Sequence, residues 1–73
     1  MSTDISDGND ILVNGGYDNI VNVYLWNKKT SKFEHSQSLT ESNDDVENVK
    51  ITGDGKFILV TDYSGRALVY KIN

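Results

Sequence analysis

Apolar residues fall in short blocks along this chain, and clusters of Gly, Asn, Asp, Ser and Lys separate them. Blocks too short for helices and rich in β-branched and aromatic side chains predict strands. Ile5 is the stub of a strand in a polar, acidic opening stretch. Asp7-Gly8-Asn9-Asp10 then predicts a turn, since Gly and Asn tolerate positive φ. Ile11-Leu12-Val13 reads as a buried strand, and Gly15-Gly16-Tyr17-Asp18-Asn19 as the next turn. In residues 20–26, Val21, Val23 and Leu25 share one face and Asn22, Tyr24 and Trp26 the other. Both faces are largely apolar, so this strand is expected to be covered on both sides. Residues 27–32 form a lysine-rich turn, and residues 33–39 alternate weakly, as an exposed edge strand does. An acidic loop follows at 40–45. Val46, Val49 and Ile51 begin another strand, Gly53-Asp54-Gly55 turns it, and residues 57–61 run back. Tyr63-Ser64-Gly65 turns again into a last strand at 67–72. No stretch keeps a helical period. The predicted fold class is all-β, an antiparallel meander of six to seven short strands.

Composition narrows the ways such a fold can be held together. The chain has 73 residues, room for one small domain that buries only about 60% of the surface its unfolded chain exposes. Small domains often add disulfides or a structural metal. There is no Cys and a single His, His35, which excludes a disulfide framework and a Cys/His zinc site. Pro is absent too, the residue least compatible with ladder hydrogen bonding. The net charge of -4 argues against a nucleic-acid or anionic-membrane surface. The first residues carry neither a basic nor an apolar leader region, and no apolar run approaches the roughly 20 residues of a membrane helix. The expected compartment is the cytosol or nucleus.

The strand pattern also repeats. At an offset of 47, Asp7-Gly8 falls on Asp54-Gly55 and Ile11-Leu12-Val13 on Ile58-Leu59-Val60. At an offset of 46, Tyr17 falls on Tyr63, Val23-Tyr24 on Val69-Tyr70 and Asn27 on Asn73. One extra residue in the first copy's middle turn would reconcile the two offsets. Turn, strand, turn and strand thus recur in the same order.

With these residues the chain resembles part of a WD-repeat β-propeller, whose blades run to about 40–45 residues and four strands. Val46-x-x-Val49-x-Ile51, followed by Thr52-Gly53-Asp54-Gly55, is similar to the family's innermost strand and its Asp-Gly turn. Phe57-Ile58-Leu59-Val60-Thr61 resembles the second strand, and Ser64 through Ile72 the tight turn and third strand, with Tyr70 at the usual Trp position. In the first copy Asp18 and Tyr24 take the turn-Asp and Trp positions, and residues 33–39 resemble the outer strand. Tyr24-Leu25 and Tyr70-Lys71 stand where the Trp-Asp pair would be, Ser42-Asn43 where Gly-His would be, and Ser64 replaces the second turn Asp. The family's buried polar network therefore cannot form as such. The resemblance implies degenerate blades held by apolar packing, a first at about 5–40 and a second at about 46–73 lacking its fourth strand. Propellers close with about four to eight blades. An incomplete propeller of this kind is expected to be a piece of a longer protein or to assemble from several copies.

No constellation predicts catalysis. His35 lies on a polar strand, where a surface histidine is the better reading than a triad member. The glycine pairs are better explained as hairpin turns than as phosphate loops. Asp7-Gly8-Asn9-Asp10 and Asn43-Asp44-Asp45 offer oxygen ligands without calcium-loop spacing, and read as solvated acidic loops. Residues 41–47 could meet a basic partner, though a solvated loop is the plainer account. Tyr24 and Trp26 beside Lys28 and Lys29 could form an aromatic–basic contact site, but core packing between blades is the stronger expectation. The resemblance implies a non-enzymatic scaffold for protein–protein contacts, with specificity in loops 15–19 and 40–45. It implies no cofactor or metal, and as partners other proteins or further blades, or homo-oligomers formed through exposed strand edges. The alternatives are a piece of a propeller hydrolase or lactonase using Asp7, Asp54 and Asp62, or a small self-assembling β protein.

Overall fold

The structure, a computed structural model, describes residues 2–16, 18–40, 42 and 44–72. Tyr17, Glu41, Asn43 and Asn73 lie outside the described residues, and with them parts of two predicted loops and two matches of the repeat. Among the described residues every regular element is a strand: β1 (Ser2–Ile5), β2 (Ile11–Gly15), β3 (Val21–Asn27), β4 (Lys32–Leu39), β5 (Val46–Ile51), β6 (Phe57–Asp62) and β7 (Ala67–Lys71). They form two antiparallel sheets, β1-β2-β3-β4 and β5-β6-β7. The chain is an all-β meander, as its apolar blocks predict.

Cross-strand partners share a face. In the N-terminal sheet, Asp4, Val13, Val23 and Gln37 form one row, and Ser2, Gly15, Val21 and Leu39 the next on the same side. In the C-terminal sheet, Val49, Val60 and Leu68 form one row, and Ile51, Ile58 and Tyr70 the next. These two faces pack on each other. Val13, Val21 and Val23 from one sheet and Val46, Val49, Ile51, Ile58 and Val60 from the other make the buried core. Full burial of each such side chain is worth about 1.5–3 kcal/mol. Val46 and Val49 are three residues apart, which would put them on opposite sides of a regular strand. A register irregularity between Val46 and Asn48 turns both into the core.

Polar contacts seal the margin of this interface, and they explain β1. The sequence predicts only a stub at Ile5, because Ser2 and Asp4 are polar. Both face the neighbouring sheet. The Ser2 hydroxyl donates to Asn48 Oδ1 (2.8 Å) and accepts the Val49 N–H (3.2 Å), and Asp4 Oδ2 accepts the Ile51 N–H (2.9 Å). The edge of β5 next to β1 is thereby hydrogen-bonded although the two strands belong to different sheets. The Val46 N–H donates to the Gly16 carbonyl at 2.8 Å, completing the seam.

Gly15, expected in a turn, is a strand residue. A Cβ there would lie 2.6 Å from Val46 Cγ1 and 3.2 Å from Val49 Cγ1. Its missing side chain is what lets β5 settle on β2. Gly53 does similar work: a Cβ there would collide with the Asp7 carboxylate, and the Asp7 N–H donates to the Gly53 carbonyl (3.3 Å). Positive φ is confined to other positions, Gly55 at 75° and Gly65 at 86° among the glycines.

The pairing also corrects the repeat. Leu12 pairs with Tyr24 and Ile58 with Tyr70; Ile5 pairs with Leu12 and Ile51 with Ile58. Every one of these correspondences is 46 residues, so no extra residue sits in the first copy's middle turn. The left-handed positions obey the same offset: Asn9 (59°) with Gly55, and Asn19 (61°) with Gly65. So do the hairpin seams. The Ile11 N–H donates to the Ser6 hydroxyl and the Phe57 N–H to the Thr52 hydroxyl, at 3.2 and 3.1 Å. The offset of 47 follows the likeness of Ile-Leu-Val to Ile-Leu-Val, which are chemically alike but sit one register step apart.

Candidate interaction surface

Among the described residues β3 is covered on one side only, contrary to the expectation of cover on both. Its Val21 and Val23 enter the core, while Asn22, Tyr24 and Trp26 lie on the outer face of the N-terminal sheet. Tyr24 and Trp26 therefore do not pack in a core within this chain. Trp26 stays 39% exposed and Ile5 likewise 39%. Across the sheet Trp26 meets Phe33 edge to face, with ring centroids 5.2 Å apart, and Tyr24 meets the His35 ring at 5.6 Å. Such pairs contribute roughly 0.5–1.5 kcal/mol beyond the area they bury.

The turn between β3 and β4 fixes this aromatic pair. Ser31 adopts φ 56°, and its N–H donates to the Asn27 carbonyl at 2.8 Å. Glu34 accepts from Asn27 Nδ2 (3.0 Å) and from the Thr30 hydroxyl (3.2 Å), clamping the turn from β4. On the other side, the Trp26 N–H donates to the Asp10 carbonyl at 2.9 Å. The result is a shallow hollow of about 610 Å³ between Ile5, the Asn9–Asp10 turn, Trp26, Lys28 and Phe33. Aromatic and aliphatic walls with one cation and one carboxylate at the rim suit a protein side chain.

The C-terminal sheet has an outer face as well. Leu59 and Val69 pair across β6 and β7, and they are 45% and 67% exposed; Phe57 is 39% exposed. Lys50 and Lys71 flank them. Sequence patterning alone gives no sign that this Leu, Val and Phe are outside, since they alternate with equally apolar residues.

The remaining candidates do not converge. The Ser38 hydroxyl donates to Asn22 Oδ1 (2.8 Å), and His35 Nε2 contacts Asn22 Oδ1 and Ser38 Oγ at 3.2 and 3.0 Å. A nucleophile–His–acid relay needs an orienting group on the other ring nitrogen, whereas here both partners meet Nε2, in the open. Asp7 and Asp54 lie on neighbouring hairpin turns, but Asp62 caps the opposite end of β6, roughly 16 Å along the strand. Asp62 is buried, and its Oδ1 accepts the Ser64 hydroxyl (2.5 Å), the Ser64 N–H (3.0 Å) and the Arg66 N–H (3.2 Å), which is turn-closing work. Asp54 is held below its ordinary value of 3.8 by the Thr52 hydroxyl first and the Lys56 N–H second. Among the described residues no three His, Asp or Glu side chains come together as a metal cluster. No helix among them is long and apolar enough to cross a membrane.

No protein-family model matches the chain, and no curated protein matches it.

Proposed function

We propose that this chain is a non-enzymatic protein-interaction module, built as a WD-repeat-like propeller segment of two blades. The first blade is β1 to β4, and the second is β5 to β7 without its fourth strand. One observation carries the reading: two sheets in a common register stack front to back and leave an apolar outer face at each end. A rigid sheet face bearing Trp26, Phe33 and Tyr24 has the aromatic character of binding hot spots. The 46-residue offset is close to a blade's length, and Tyr24 and Tyr70 hold the same register position. The inner strands β1 and β5 lie side by side, as in a propeller. Partners are proteins or further blades, docked on the outer faces or on the loops at 15–19 and 40–45. A cytosolic or nuclear site of action belongs with this reading.

The test is a selection of displayed peptides and small domains against the wild-type chain, counter-screened with Trp26→Ala. Binders that lose at least tenfold affinity on that substitution are expected. A metal-dependent hydrolase activity abolished by Asp54→Ala would instead favour an enzyme.

A further inference from the structure

We propose that a second copy of this chain covers the open faces, its N-terminal sheet seated through the outer face on the outer face of this chain's C-terminal sheet. This rests on the reading of the chain as an interaction module and names the partner.

The constant offset of 46 carries the argument. Within the chain, the face holding Ile11, Val13 and Val23 packs on the face holding Ile51, Ile58 and Tyr70. Forty-six residues after Ile11, Val13 and Val23 stand Phe57, Leu59 and Val69, which are exposed. Forty-six residues before Ile51, Ile58 and Tyr70 stand Ile5, Leu12 and Tyr24, on the other open face. Each open face is thus the register counterpart of a face that the chain already buries against the other's counterpart. A neighbouring copy can continue the internal stack in the same register and needs no new docking geometry. Exposed apolar pairs such as Leu59–Val69 are what this contact would take out of water.

The two faces differ, so the contact is heterologous and each added copy presents the same free face again until a ring closes. Closed radial arrays of four-stranded sheets hold about four to eight sheets, which corresponds to about two to four copies of a two-sheet chain. Asn14 and Asn22 occupy the positions at which Val60 and Leu68 face the core in the other sheet. The contact between copies is therefore weaker than the one inside the chain.

Cysteine placement tests this cleanly, because the chain has none of its own. Inside the chain Asp4 reaches the Ile51 amide; between copies the counterpart is Lys50 of one against Ile5 of the next. Within one chain Ile5 and Lys50 lie on the outer faces of their sheets, so their Cβ vectors point apart and a bridge between them would need backbone movement. When Ile5→Cys and Lys50→Cys chains are mixed under oxidising conditions, the mixed disulfide is expected to form in preference to either homodisulfide. Sedimentation of the wild-type chain is expected to show a discrete oligomer that Val69→Asp converts to monomer with an unchanged circular dichroism spectrum, Val69 being 67% exposed. Homodisulfides formed as readily as mixed ones, or a wild-type monomer up to about 1 mM, would overturn the proposal. If that monomer still binds displayed proteins in a Trp26-dependent way, self-stacking fails and the interaction module stands; if it binds none, both fall.

Discussion

At one register position Ile58 is fully buried and Leu12 half-buried; at the next, Val13 is fully buried and Leu59 is 45% exposed. The first three strands of the N-terminal sheet and the three of the C-terminal sheet run in the same order, with matching left-handed turn positions and similar residues, yet the sheets bury opposite faces. Front-to-back stacking accounts for this. If the sheets had met through equivalent faces, the pair would be closed on itself, and both outer faces could be polar. Stacked in sequence, each sheet must be apolar on both sides, and the two end faces remain in water. Burial at a given position is thus decided by which end of the stack the sheet occupies, not by the side chain alone.

That asymmetry can be broken at the centre of the core. Ile58→Ala is expected to cost about 2–5 kcal/mol, and Leu12→Ala at the equivalent half-buried position less than half as much, both measured by urea denaturation. The next effect tests the close approach of the sheets. Gly15→Ala should cost about 1–3 kcal/mol by overpacking against Val46 and Val49, whereas its counterpart Thr61 already carries a Cβ, and Thr61→Ala should cost less than about 1 kcal/mol. The turns sharpen the comparison in a different way. Gly65 has open space around it but φ 86°, so Gly65→Ala should cost about 1–2 kcal/mol through backbone strain alone. Asn19→Gly at the matching position should be neutral or slightly stabilising.

The smallest effect is electrostatic. The folded state lowers the Asp54 pKa, so its contribution is fully present above the ordinary value of 3.8 and is lost as pH falls through the lower folded value. An NMR titration of the Lys56 amide should follow that loss, and Asp54→Asn should abolish the inflection. Position 8, the counterpart of 54, is a glycine, and in the first hairpin the Ser6 hydroxyl donates to Asp10 Oδ1 instead.

Much of the fold was legible in the chain. Short apolar blocks between Gly, Asn and Asp clusters locate five of the strands, and β4 follows, as a polar edge strand, from its weak alternation. β1 was only half legible, since Ser2 and Asp4 serve as hydrogen-bond partners of another sheet's edge and look like loop residues in sequence. The repeat was visible but out of step by one residue in its first half, because Ile-Leu-Val matches Ile-Leu-Val by chemistry at 47 and by hydrogen bonding at 46. The candidate surface was partly legible: Trp26 and Tyr24 stand out as aromatics, but a strand apolar on both faces reads as core. Leu59 and Val69 carried no signal at all.

The chain by itself determined the element type, the turn positions and the recurrence, because these depend on local backbone preference and on alternation at period two. Only the tertiary structure decided which face of each sheet is buried and why Gly15 and Gly53 must lack side chains. Both depend on contacts between residues tens of positions apart, where a side chain's surroundings are set by the neighbouring sheet and not by its own strand.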